Sequence, residues 1–80
     1  MVAKAASIED LSCLVRFHRR AAELSRERLA EIAGVGKTVI YDIEHDKKTI
    51  QLQTLTKVLD ALNIHTLFVS PIMDEYLSNQ

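Results

Sequence analysis

The sequence predicts a small all-α domain that closes on a single β-strand. Three observations carry that prediction: apolar residues recur at three- and four-residue spacing in four segments, glycines interrupt the pattern where two of them meet, and alternation replaces it after Asn63. Eighty residues leave room for one core and no second domain. With 48% hydrophobic and 26% charged residues the chain is globular in composition, and with four aromatics (Phe17, Tyr41, Phe68, Tyr76) its core must be aliphatic. A chain this short buries only about 60–65% of its unfolded surface, so it needs a further source of stability. The single cysteine, Cys13, excludes an internal disulfide and suits a reducing compartment, which leaves oligomerisation. No apolar run approaches the ~20 residues of a membrane span and the first residues lack a secretion signal's apolar segment, so a cytoplasmic location without membrane association is expected.

Residues 1–7 read as an N-terminal arm and residues 8–63 as the helical domain. Ser7 with Asp10 three residues on is an N-cap signature, with Glu9 and Asp10 facing the positive end of the first helix. Leu11, Leu14, Val15, His18, Ala21 and Ala22 then form one stripe to about Glu23. Ser25 caps a second helix whose buried face is Leu29, Ile32 and Ala33, and Gly34 stops it because glycine takes the left-handed conformation without a Cβ clash. Val39, Ile40 and Ile43 mark a third short helix that must cross the second steeply. Leu52, Leu55, Leu59 and Leu62 mark a fourth from about Gln51 to Leu62, with Asn63 as its C-cap. Residues 64–70, rich in β-branched and aromatic side chains, read as one strand with no partner in the chain. An unpaired strand invites pairing, so a second copy is expected to complete a two-stranded sheet across a twofold axis, with Ile64, Thr66, Leu67, Phe68 and Val69 at the dimer interface. The other reading of this segment is a fifth short helix or an ordered coil laid on the core. The tail, residues 71–80, is either a short docked helix or frayed.

The net charge of −1 conceals a split. Between Arg16 and Lys48 eight basic residues face six acids, whereas the ends are acidic. Within this basic middle, residues 24–44 (LSRERLAEIAGVGKTVIYDIE) resemble the helix-turn-helix of the Cro/repressor (XRE) family, with Ala30, Gly34, Val35, Ile40 and Glu44 at the most specific positions. The resemblance spans about residues 11–62 and implies a lambda-repressor-like fold that binds double-stranded DNA. A glycine-containing turn suits this role, because it lets the second helix of the pair enter the major groove while the first crosses the backbone.

Carried onto this sequence, the resemblance makes residues 37–44 the recognition helix. Lys37, Thr38, Val39, Tyr41 and Asp42 are then the candidates for base contacts: lysine can donate to guanine, aspartate can accept from cytosine, and valine can meet a thymine methyl. For Tyr41 a phosphate contact, and for Asp42 a plain surface charge, stay open beside base reading. Ser25 and Arg26 at the second helix's start, and Lys47, Lys48 and Thr49 after the recognition helix, are the candidate phosphate contacts. Arg19 and Glu44 match a structural ion pair joining the first and recognition helices. Phe17, usually polar in relatives, either faces a partner or packs in the core. Gly36 stands where a Ser or Thr cap is usual, Ile50 where Pro is common, and Asp46 where Gly is common.

Nothing points to an enzyme. His18, His45 and His65 lie on separate elements, Cys13 has no nearby base, Gly34-Val35-Gly36-Lys37-Thr38 lacks the spacing and preceding strand of a phosphate loop, and no ligand spacing suits zinc. No cofactor or metal is expected. The helix order and terminal strand resemble the HipB-type branch of the family. That likeness implies a homodimeric antitoxin that represses its own operon at a palindromic operator and partners a HipA-type kinase toxin. The alternatives are a free-standing or phage-derived repressor without a toxin, and a protein-interaction module that has lost DNA binding.

Overall fold

In the computed structural model, which describes residues 5–80, a short 3₁₀ turn (Ile8–Asp10) leads into five helices: α1 (Leu11–Ala21), α2 (Arg26–Ala33), α3 (Val39–Glu44), α4 (Leu52–Ala61) and α5 (Met73–Ser78). Of the expected N-terminal arm, residues 1–4 lie outside the described residues, and residues 5–7 are exposed and non-helical. Ser7 and Asp10 meet as a capping box in which the Asp10 carboxylate accepts from the Ser7 N–H at 3.0 Å and hydroxyl at 3.2 Å. At the start of α2 the Ser25 hydroxyl accepts from the Arg28 N–H at 3.0 Å, as its N-cap position predicts.

The first four α-helices end in the same way. Glu23, Gly34, Asp46 and Asn63 all adopt positive φ, at 57°, 72°, 59° and 59°. After each, the next N–H reaches back to close a Schellman motif: Leu24 to Arg19, Val35 to Ala30, Lys47 to Asp42 and Ile64 to Leu59, at 2.9–3.1 Å. Three of the four following residues, Leu24, Val35 and Ile64, then pack against the core. Glycine, aspartate and asparagine tolerate this conformation, but Glu23 has no such excuse. Replacing Glu23 by glycine is expected to stabilise the fold by about 0.5–1 kcal/mol, read as a higher urea midpoint at unchanged slope. An unchanged or lower midpoint would show that the left-handed backbone carries no strain.

Helix α3 packs against both α1 and α2, and α4 against α2. The core they enclose is aliphatic as composition requires: Val15, Leu29, Ala30, Ile40, Ile43, Leu55, Val58 and Leu59. All four aromatics are instead at least half exposed. Several expected core positions lie outside. Ile32 is 49% and Leu52 76% exposed, Ala21 and Ala22 are at the surface, and Leu11, Leu14 and His18 are half-buried. The buried face of each short helix is narrower than its apolar stripe: α2 turns Leu29, Ala30 and Ala33 to the core, and Leu52 sits at the first position of α4.

No β-strand is present among the described residues; residues 64–70 are irregular. A strand requires a neighbour to accept and donate ladder hydrogen bonds, and one copy supplies none. Ile64 serves as the anchor after Asn63 and is half-buried against the core of the single chain. Beyond it Leu67, Phe68 and Val69 are 78–89% exposed, and α5 leaves Ile72, Tyr76 and Leu77 uncovered with no residue fully buried.

Candidate nucleic-acid interface

Between α2 and α3 the chain turns in five residues. Gly34 provides the left-handed step, Val35 plugs into the core, and the Gly36 carbonyl accepts from the Val39 N–H at 3.2 Å. Helix α3 therefore starts at Val39 with Thr38 as its N-cap, later than the expected start at Lys37, and Lys37 and Thr38 belong to the turn. Gly36 is not the cap of this helix and has an ordinary backbone conformation, with room for a Cβ 3.9 Å from the Val39 side chain. The Thr38 side chain makes no capping bond, which leaves its hydroxyl uncommitted.

Two sides of α3 divide the work. Ile40 and Ile43 are buried, and Lys37, Thr38 and Tyr41 point outward with Tyr41 52% exposed. Val39 is half-buried against the core, which limits what it can offer a thymine methyl. Asp42 is also half-buried and its carboxylate lies 3.5 Å from the Lys47 Nζ, so this pair partly neutralises two candidate DNA contacts. Lys48 and Thr49 are exposed, and among the described residues neither Lys37 nor Lys48 forms a salt bridge.

Beneath this surface sits a buried charge cluster centred on Glu44, only 2% exposed. Arg19 grips its carboxylate with two bonds, Nε to Oε2 at 2.6 Å and Nη2 to Oε1 at 3.1 Å, and spends a third donor on the Leu24 carbonyl at 2.9 Å. The predicted α1–α3 ion pair is thus present in the structure. Two further arginines join it. Arg26 donates from Nε to Glu44 Oε1 at 3.2 Å, and Arg16 donates from Nη2 to the Glu44 backbone carbonyl at 2.8 Å with its Nε 3.6 Å from the carboxylate. Arg16 Nε is buried and makes no hydrogen bond among the described residues. The hydrogen bond to Glu44 outweighs burial and holds the Arg19 guanidinium charged more firmly than an ordinary arginine. For Glu44, burial alone would raise its pKa, but the bonds and charges of Arg19 and Arg26 prevail and hold the carboxyl below its ordinary range.

Arg26 therefore sits differently from the free phosphate clamp expected of it. Its side chain is 37% exposed, tied at Nε to Glu44, with the guanidinium carbon 5.5 Å from the centre of the Tyr41 ring. Tyr41 in turn stacks on His45 with ring centres 3.8 Å apart and planes 18° off parallel. Neither the roles of Arg16 and Arg26 around Glu44 nor the Tyr41–His45 stack emerges from the sequence reading. Spacing carried part of the signal: Arg16 and Arg19 share an α1 face at three residues' separation, and Tyr41 and His45 share an α3 face at four. Phe17 resolves as a surface residue, 69% exposed beside Cys13, Arg16, Arg20 and Ala21.

The family model described as helix-turn-helix matches residues 15–69. An uncharacterised HTH-type transcriptional regulator, y4mF, from Sinorhizobium fredii is 36% identical over 62 residues, which span 78% of this chain and 82% of that protein. Control protein C.SmaI from Serratia marcescens is 41% identical over 55 residues, 69% of this chain and 66% of that protein. Among solved structures, a chain of a HipA-HipB-O2-O3 complex superposes with a TM-score of 0.72 at 20% identity, covering 88% of this chain and 99% of its own. A hypothetical transcription factor, NHTF, from Neisseria superposes with a TM-score of 0.60 at 24% identity, covering 100% and 97%. At these identities the structural likenesses show a shared fold.

Proposed function

The chain belongs to the helix-turn-helix family of XRE type, whose members are DNA-binding transcription regulators and not enzymes, and from that premise we propose that it is a homodimeric, sequence-specific repressor acting in the cytoplasm as the antitoxin of its own operon. The observation that carries the DNA-binding part is the division of α3: one side locked to α1 and α2 by Ile40, Ile43 and the Glu44 cluster, the other presenting Tyr41 with Lys37 and Thr38 beside it. A rigidly held helix with an exposed outer face is suited to a major groove. Lys37, Thr38 and Tyr41 are the favoured base readers, and Ser25, Lys48 and Thr49 the favoured phosphate contacts. Asp42 and Lys47 contribute less while paired to each other.

Dimerisation is supported by the exposed run of Leu67, Phe68 and Val69, continued by Ile72, Tyr76 and Leu77. Uncovered apolar side chains at this density mark a contact surface, and strand pairing of residues 64–70 between two copies satisfies both their backbone and their side chains. The antitoxin reading draws on the likeness to a HipB chain in complex with HipA, and implies a HipA-type kinase as partner. Similarity to a control protein favours a second reading, a free-standing regulator without a toxin.

Selection from a pool of random duplexes at two salt concentrations tests the proposal. A palindrome with half-sites about one helical turn apart is expected. No enrichment, with binding that vanishes as salt rises, would instead leave an interaction module. On the enriched site, Tyr41→Ala should cost about 1–3 kcal/mol and relax preference at one or two base pairs, while Lys48→Ala should weaken all duplexes alike and flatten the salt dependence. Equal losses from Tyr41→Ala on operator and random DNA would remove it from base reading. Co-purification of a kinase encoded beside the gene separates the antitoxin from the free-standing regulator.

A further inference from the structure

We propose that Arg26 and His45 are positioning residues that hold the Tyr41 side chain in one orientation for base discrimination, with Arg26 itself anchored by the buried Glu44. The inference rests on the DNA-binding reading above and goes beyond it, because neither residue is assigned a part in base reading there.

A tyrosine standing half exposed on a helix samples several rotamers and must give up that freedom to read a base, which lowers affinity and blurs selection. Tyr41 is restrained from two directions. The His45 imidazole covers its ring at 3.8 Å, and His45 is itself fixed because its Nδ1 donates to the Tyr41 carbonyl at 2.8 Å, one helical turn back. The Arg26 guanidinium lies over the ring at 5.5 Å, within cation–π range. Arg26 is not a loose surface arginine: its Nε donates to Glu44 Oε1 at 3.2 Å, and the Glu44 side chain is fully enclosed and held by Arg19. Orientation is thus transmitted from the rigid α1–α3 ion pair, through the first residue of α2, to an exposed side chain of α3.

The arrangement also limits how Tyr41 can read. With the imidazole against a ring face, what it offers DNA is the ring edge and the hydroxyl, so it reads a base edge in the groove rather than stacking on a base. The hydroxyl can donate to or accept from such an edge.

The test compares wild type with His45→Ala, His45→Phe, Arg26→Lys and Tyr41→Phe. Each is titrated with the enriched operator, with operators substituted at single base pairs, and with a random duplex. His45→Ala and Arg26→Lys should each lower discrimination at the base pair that Tyr41→Phe identifies by about fivefold or more while leaving random-duplex affinity within about twofold, as expected of lost preorganisation at one contact. His45→Phe, which keeps a ring to stack, should restore most of the discrimination. Proton NMR of the free protein provides the second readout: ring current from His45 should move the Tyr41 ring resonances upfield, an effect lost in His45→Ala and kept in His45→Phe. Unchanged discrimination in His45→Ala and Arg26→Lys, or Tyr41 resonances at unstructured positions in wild type, would overturn the proposal. A wild type that enriches no duplex overturns the DNA-binding reading itself and the base-reading role with it, and is distinguished by Tyr41 resonances that still report the stack.

Discussion

Replacing Glu44 by alanine is expected to cost about 3–5 kcal/mol, most of the stability of a domain this size, because it leaves a buried cation without its counter-charge. Arg19 is 8% exposed and directs two donors at the Glu44 carboxylate. Once the carboxylate is gone those donors face no acceptor, and Arg16 and Arg26 add repulsion nearby. Arg19→Met should be milder, since Glu44 keeps Arg26 and the proximity of Arg16. The double variant Arg19→Met/Glu44→Leu should be more stable than Glu44→Ala alone, because it removes both buried charges and fills the space with apolar atoms. Urea midpoints for the three proteins check the ordering. A loss below about 1 kcal/mol in Glu44→Ala would mean that the cluster is solvated and structurally dispensable.

The same cluster predicts how stability responds to acid. Glu44 is less readily protonated in the folded chain than in the unfolded one, so its contribution is fully present above the ordinary glutamate pKa of about 4.3 and is lost as pH falls through the lower folded value. Wild-type stability should therefore drop on acidification below that range. In Glu44→Gln this part of the pH dependence should vanish.

Phe68→Asp is expected to have the second large effect, and on assembly rather than folding. Phe68 is 81% exposed in the single chain, so a carboxylate there disturbs no core contact. In a dimer built on residues 64–70 it would bury a charge beside its own twofold copy, which is strongly unfavourable. Sedimentation should give the 9.0 kDa chain in place of twice that mass, with unchanged helical circular dichroism. Operator affinity should fall by about 10²–10⁴-fold, since two half-sites no longer bind as one linked unit. An unchanged mass would reject strand pairing and move attention to the α1 surface around Phe17.

Much of the fold is legible in the sequence for local reasons. Ser25, Gly34 and Asn63 mark helix boundaries through hydrogen bonding and backbone conformation that depend on a few neighbours. The candidate DNA face is legible in outline because Ile40 and Ile43 dictate which side of α3 turns inward. Less accessible are outcomes in which one residue has two uses. Ile64 fits an alternating strand but is taken by the end of α4, and Leu52 fits the α4 stripe but lies beyond the reach of the core. Arg26 fits a phosphate clamp but is drawn to Glu44 and Tyr41.

The amino-acid sequence by itself therefore determined the first four helices in outline, the Ser25 cap, the Gly34 stop, the aliphatic character of the core and, through family resemblance, the Arg19–Glu44 pair and the helix-turn-helix motif. The helices, caps and core follow from short-range periodicity and from residue types at fixed spacing, whereas the ion pair comes from the resemblance. Tertiary structure alone decided which apolar residues remain outside, that three arginines converge on one buried carboxylate, and that Arg26 and His45 both meet Tyr41. Those outcomes depend on distances between elements remote in sequence, such as the 3.2 Å between Arg26 and Glu44, which exist only once α1, α2 and α3 have packed around a common core.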